Sequence, residues 1–134
     1  MSREPLTASP EDSLQVVVDR MGRHGIRHLP IVDADRRVIG MLSDRDVRSA
    51  IGNPMWTRDP RASVVRIEST RVAHAMTRSP LVLHAGTRLS QAANMFADHK
   101  VGALPIVDEA DRLVGVVSYT DVLRAVLGPK RNVS

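Results

Sequence analysis

The chain repeats itself. Shifted by 75 positions, Leu29-Pro30-Ile31-Val32-Asp33 falls on Leu104-Pro105-Ile106-Val107-Asp108. With no gap, Gly40-Met41-Leu42-Ser43-Asp44-Arg45-Asp46-Val47 then falls on Gly115-Val116-Val117-Ser118-Tyr119-Thr120-Asp121-Val122. The same offset pairs Pro5-Leu6 with Pro80-Leu81, Leu14 with Leu89, His24 with His99 and Pro54 with Pro129. Self-similarity at one fixed period means a single supersecondary unit built twice. In a chain of 134 residues, each copy is too short to bury both faces of its own small sheet, so the two are expected to pack as one pseudo-symmetric body.

Each copy carries one local plan. Leu14, Val17, Val18 and Met21 stand at i, i+3, i+4 and i+7, and Leu89, Ala92, Ala93 and Phe96 repeat the spacing, which predicts an amphipathic helix in both. Ser9-Pro10 reads as the cap and first-turn proline of the first helix. Two aliphatic runs follow, Leu29 to Val32 and Val38 to Leu42, parted by the polar turn Asp33-Ala34-Asp35-Arg36, and they read as buried strands. Leu104 to Val107 and Leu113 to Val117 match them. A second helix then presents Val47, Ala50 and Ile51, or Val122, Ala125 and Val126. With a short opening strand around Leu81-Val82-Leu83, the fold class is α+β, two pseudo-symmetric β-α-β-β-α repeats. Residues 1–54 form the first repeat, 55–71 a connector without a partner in the repeat, 72–129 the second repeat and 130–134 a tail. Trp56, in the connector, reads as a packing residue.

Composition excludes several classes of chemistry. The chain has no cysteine, which removes disulfides, thiolate metal sites and cysteine nucleophiles and fits a reducing compartment. No apolar run approaches the roughly 18 residues of a membrane span, and no apolar segment follows the N-terminal Met-Ser-Arg-Glu-Pro, so a cytoplasmic chain away from the membrane is expected. The net charge of +4 comes from 19 basic residues against 15 acidic ones. Only Lys100 and Lys130 are lysines, and the arginines are interleaved with aspartates, as in Asp35-Arg36-Arg37 and Asp44-Arg45-Asp46. Such mixing describes a solvated surface rather than a nucleic-acid footprint, and one Trp, one Phe and one Tyr give no stacking platform.

Gly-x-x-Ser-x-x-Asp, present as Gly40/Ser43/Asp46 and Gly115/Ser118/Asp121, carries the most chemistry. One reading is structural: a serine three residues before a carboxylate at a strand-to-helix junction is a capping box. The other is a ligand site. A helix N-terminus offers free N–H groups to a phosphate, the serine hydroxyl adds a donor, and a first-turn carboxylate can accept both hydroxyls of a ribose. Glycine ahead of the motif would let a ligand approach the backbone. The two readings are compatible.

Leu-Pro-Ile-Val-Asp followed by Gly-x-x-Ser-x-x-Asp, twice at one spacing, resembles the tandem cystathionine-β-synthase-type (CBS) domain pair, or Bateman module, over nearly the whole chain. The resemblance implies a CBS pair without catalytic activity, with no tightly bound cofactor, sensing AMP, ADP, ATP or S-adenosylmethionine in clefts between the repeats. It also implies a homodimer and an effector protein as partners. Carried over by residue, it puts the ribose at Asp46 and Asp121, and the phosphates at Ser43, Ser118 and Arg27. Arg27 lies three residues before Pro30, whereas its repeat partner is Gly102. In the family each site borrows the segment leading into the opposite repeat, which for Asp46 is Val72-Ala73, as the adenine wall. For Asp121 that segment would precede Met1 at the 75-residue offset, so this second site is expected to be open or non-functional and the Asp46 site to be the better one.

Other candidates are weaker. His24 and His28 stand at i, i+4, but no cysteine or carboxylate pair joins them, and a surface or packing role is expected. His24 and His99, at equivalent positions, read as contacts to exposed carbonyls at a helix C-terminus. No nucleophile elbow or Gly-x-x-x-x-Gly-Lys loop occurs. A ligand-independent interaction or scaffold module of the same fold is the alternative function.

Overall fold

A computed structural model of the chain describes residues 6–52 and 59–131, with side chains as far as Leu127. Pro54, Trp56 and the segment ahead of Leu6 lie outside the described residues. Contacts divide the chain into two compact units, Leu6–Pro80 and the segment from Leu81 onward.

The first unit contains α1 (Leu14–His24), β1 (His28–Val32), β2 (Val38–Ser43), α2 (Asp44–Ile51), α3 (Pro60–Ser69) and β3 (Thr77–Arg78). β1 and β2 form an antiparallel hairpin in which His28 lies opposite Ser43 and Leu29 opposite Leu42. Its turn is held by the Asp33 carboxylate, which accepts the N–H groups of Asp35 and Arg37 at 2.9 Å each and lets Arg36 take a left-handed φ of 65°. β3 pairs antiparallel with β2, Met41 opposite Thr77 and Gly40 opposite Arg78. The segment leading into the second repeat is thereby part of the first unit. The opening strand of this copy is a single parallel bridge, Ala8 to Ile31. The core gathers Leu14, Val17 and Met21 of α1 with Leu29, Ile31, Leu42, Val47, Ile51 and Val72, and Val18 packs against it partly buried. Fully burying each aliphatic side chain contributes about 1.5–3 kcal/mol.

One expectation fails here. Ser9 and Pro10 do not start α1. They belong to a preceding turn closed by Asp12 N–H to Ser9 O, 3.1 Å, and Ser9 N–H to the Asp12 carboxylate, 2.9 Å. The first N–H of α1, that of Leu14, instead donates to the carbonyl of Thr70 at 2.9 Å, so a tertiary contact replaces the local cap. Within the connector, residues 60–69 are helical. Asp59 accepts the Arg61 N–H at 3.0 Å and Pro60 fills the first turn, where its missing donor costs nothing. α3 packs on α1 and α2 and buries Ser63.

The second unit repeats the plan with β4 (Leu83–His84), α4 (Leu89–His99), β5 (Ala103–Val107), β6 (Leu113–Ser118) and α5 (Tyr119–Arg131). β4 runs parallel to β5, and β5 and β6 are antiparallel. Leu83 opposes Ile106 as Ala8 opposes Ile31, and the hairpin register shifts between Ile106 and Val107 as it does between Ile31 and Val32. Leu83, Ala92, Phe96, Leu104 and Val122 form the core, and the Phe96 ring sits 5.9 Å from that of Tyr119 at 51°. Leu89 and Val126, expected on buried faces, are exposed. With five helices and two three-stranded sheets, the described chain has the α+β architecture that the repeat implies.

α1 and α4 end alike, at His24 and His99, but the histidines are exposed and the caps are backbone. Gly25 and Lys100 turn left-handed, φ 62° and 52°, and their N–H groups donate to the Met21 and Phe96 carbonyls.

Candidate functional site

In the first unit, Ser43 ends β2 in extended conformation and caps α2. Its hydroxyl accepts the Asp46 N–H at 3.1 Å, and its own N–H donates to the Asp46 carboxylate at 2.9 Å. The capping box is therefore complete. One bond occupies little of a carboxylate, whose two oxygens offer about four lone-pair sites, so the cap and a diol can be served together. The Asp44 N–H donates to the Arg27 carbonyl at 3.0 Å, which fixes the Arg27 backbone against the first turn of α2 while its side chain is exposed. The Arg27 backbone, Ser43 and Asp46 thus meet at one helix N-terminus.

Val72 and Ala73 lie on a single helical turn whose N–H groups donate to the carbonyls of Asp12 and Pro10. The Val72 side chain is completely buried in the core, and Ala73 keeps part of its surface. Gly40 has a role that its spacing did not reveal. A Cβ there would stand 2.6 Å from Met76 Sδ and 3.1 Å from the Thr77 carbonyl oxygen. The glycine admits β3 of this chain, and the space expected for a ligand is filled.

The second unit repeats the box, with Ser118 N–H to the Asp121 carboxylate at 3.0 Å and Asp121 N–H to the Ser118 hydroxyl at 3.1 Å. Tyr119 N–H donates to the Gly102 carbonyl at 2.9 Å, as Asp44 does to Arg27. The bond from the Ser118 backbone N–H is the main reason that the Asp121 carboxyl is held below the usual carboxylate range, with slight burial opposing it and the Ser118 hydroxyl reinforcing it. Gly102 gives this unit no side chain where the first has Arg27.

His28, for which spacing alone suggested a surface or packing role, stands next to the Ser43–Asp46 constellation. It opens β1 opposite Ser43 and is partly buried. Burial, chiefly, pushes its imidazole below the ordinary value and Arg27 adds to this, whereas the Asp44 and Asp46 carboxylates pull it back up. Among the described residues no group of three or more His, Cys, Asp or Glu could hold a metal ion, and no helix is long and apolar enough to cross a membrane.

A cavity of about 530 Å³ opens at the other end of the first hairpin, lined by Thr7, Ser9, Asp12, Arg20, Asp33 and Ile39 among others. The second unit has its repeat counterpart, about 220 Å³, at Leu83 to Thr87 and Val114. None of the residues of the Ser43 or Ser118 sites lines either.

Two copies of one β-α-β-β-α unit, each closing on a Ser/Asp-capped helix, define a tandem-repeat α+β architecture. The CBS domain family model matches residues 1–53 and 72–128, and the chain belongs to that family. A CBS domain-containing protein of Dictyostelium discoideum is 28% identical over 123 residues, 92% of this chain and 85% of its own length. The CBS-pair protein CBSX2 of Arabidopsis thaliana superposes with a TM-score of 0.84 at 26% identity, covering 98% of this chain and 94% of that one. CBSX2 in complex with AMP gives 0.83 at 25% identity, over 98% and 95%. The cytosolic domain of the Mg2+ channel MgtE in complex with ATP gives 0.73 at 28%, over 93% of this chain and 46% of that one. Inosine-5'-monophosphate dehydrogenase of Mycobacterium tuberculosis is 28% identical over 130 residues, 96% of this chain, and the chain spans 22% of that enzyme's length.

Proposed function

We propose that the chain is a regulatory CBS pair, without catalytic activity, that binds adenosine-containing ligands of the AMP, ADP and ATP class. The observation that carries this reading is the Arg27, Ser43 and Asp46 constellation at the start of α2, in a chain whose relative CBSX2 crystallises with AMP. Asp46 accepts the ribose hydroxyls, Ser43 and the N–H groups of the first turn meet the phosphate, and the exposed Arg27 supplies charge. Ala73 and the backbone of Val72 provide the apolar wall for adenine. Asp121 and Ser118 form a second, weaker site, since Gly102 brings it no cation. In this reading residues 1–54 and 72–129 are the two repeats and 55–71 joins them. The module acts in the cytoplasm as a homodimer and passes ligand occupancy to an effector protein. S-adenosylmethionine is the remaining ligand of the same chemical class.

Isothermal titration with AMP and with ATP, on wild type and on Asp46→Ala and Asp121→Ala, tests the assignment. Asp46→Ala is expected to lose about 1.5–3 kcal/mol of binding, as for a hydrogen bond to a charged group, and Asp121→Ala to retain most of it. Loss in Asp121→Ala with retention in Asp46→Ala overturns the order of the two sites.

A second reading, a ligand-independent scaffold, is favoured by one observation: the capping boxes account for both Ser/Asp pairs without any ligand. A thermal-shift panel of AMP, ADP, ATP, NADH and S-adenosylmethionine separates the two, because a ligand that binds only the folded state raises stability by RT ln(1 + [L]/Kd). The scaffold predicts no shift with any of the five.

A further inference from the structure

The two repeats differ most sharply at the pair of residues facing their capping serines. Across from Ser43 stands His28, and across from Ser118 stands Ala103. Residues directly opposite in an antiparallel pair hold their Cβ atoms about 4.5–5.5 Å apart on one face of the sheet, so the imidazole stands beside the capping box of α2. The charged groups that bear on it are the Asp44 and Asp46 carboxylates of α2 and the Arg27 guanidinium just ahead of it, while β2 contributes the Ser43 hydroxyl. Only the first repeat therefore has a group at this place that changes charge near neutral pH.

We infer that His28 makes ligand binding at the Ser43–Asp46 site proton-linked, so that the nucleotide is held more tightly as the pH falls, and that the Ser118–Asp121 site has no such linkage. This rests on the reading that a phosphate lies beside Ser43. In the free protein, burial and the neighbouring Arg27 favour the neutral imidazole. A phosphate brought to the α2 N-terminus adds negative charge next to Asp44 and Asp46, which favours the imidazolium, and binding then takes up a proton. Each pH unit by which the ligand raises the imidazole gives up to about a tenfold gain in affinity at low pH. His28 acts here as a positioning residue, through charge on the ligand and on Asp46, and Arg27 remains the direct partner of the phosphate.

The test is AMP titration calorimetry from about pH 8 to about pH 5.5, in two buffers of different ionisation enthalpy, on wild type, His28→Ala and His28→Gln. AMP's own phosphate titrates near pH 6 and contributes equally in all three proteins, so the difference between them isolates His28. The expected result is a larger proton uptake in wild type than in either variant, the excess being the His28 share, with wild type gaining several-fold in affinity over the variants as the pH falls. An NMR titration of wild-type His28 with and without AMP needs no variant, and it should show the imidazole titrating at higher pH when AMP is bound. Binding whose pH profile is the same in wild type and His28→Gln, with an unmoved His28 titration, overturns the linkage and leaves the nucleotide site standing. Absence of AMP and ATP binding at every pH overturns both.

Discussion

Ser43 and Asp46 hold each other by two reciprocal hydrogen bonds, 2.9 and 3.1 Å long, and Ser118 and Asp121 do the same at 3.0 and 3.1 Å. These bonds satisfy N–H groups that would otherwise be orphaned at the start of a helix. Ser43→Ala and Ser118→Ala should each lower unfolding free energy by about 1 kcal/mol, read from urea denaturation. A ligand role alone would leave the stability of both variants unchanged in the absence of nucleotide.

Gly40 lies against Met76 and Thr77. Met76 can swing away from an added methyl group, but the Thr77 carbonyl is fixed by the β2–β3 pairing. Gly40→Ala should cost about 1–3 kcal/mol by overpacking, and Met76→Ala in the same chain should restore only part of the loss. Full restoration would place the whole strain on the methionine.

Gly25 and Lys100 occupy the same left-handed position after α1 and α4. Glycine adopts this conformation freely and lysine does not, although glycine loses more entropy on folding. Lys100→Gly should stabilise the protein by about 0.5–1 kcal/mol, and Gly25→Ala should destabilise it by about 1 kcal/mol. Thermal melts of the two variants should move in opposite directions.

Burial depresses the His28 imidazole in the folded protein, so the unfolded chain takes up this proton first as the pH is lowered. The neutral imidazole thus contributes stability that is complete above the ordinary histidine value and is lost as the pH falls through the folded value. His28→Ala should flatten the stability profile in that mildly acidic window. Asp121, held low by Ser118, acts in a lower one: its contribution is complete above the ordinary aspartate value and fades as the pH falls through the folded value. Urea midpoints across the acid range, for His28→Ala and Asp121→Asn, should separate the two windows.

What was legible in the sequence was whatever the repeat wrote twice. The α1 stripe, the hairpins and both capping boxes follow from patterns that recur at one offset, and the structure has them. Features present in one copy only were missed. α3 has no counterpart and a weak apolar face, with Val64 and Val65 exposed, so Asp59-Pro60 was its sole local signal. The start of α1 depends on Thr70, far along the chain, which no local cap could reveal. At the site, Ser43 and Asp46 announce themselves by spacing. His28 does not, because only the strand pairing sets it opposite Ser43, and a lone histidine ahead of an aliphatic run otherwise reads as a surface or packing residue. Gly40 misled for the same reason, since its close neighbours are 36 and 37 positions away along the chain.

α2 is held at its far end as well. The carbonyl of Ile51, its last residue, accepts from the Ser63 hydroxyl at 3.4 Å and from the Arg66 guanidinium at 3.2 Å, both on α3. An eight-residue helix is only about 12 Å long and, gripped at both tips, behaves as a stiff strut. α3, which grips it there, leaves Val64 and Val65 exposed. The helix that the repeat never foretold thus secures the far end of the helix that Ser43 caps.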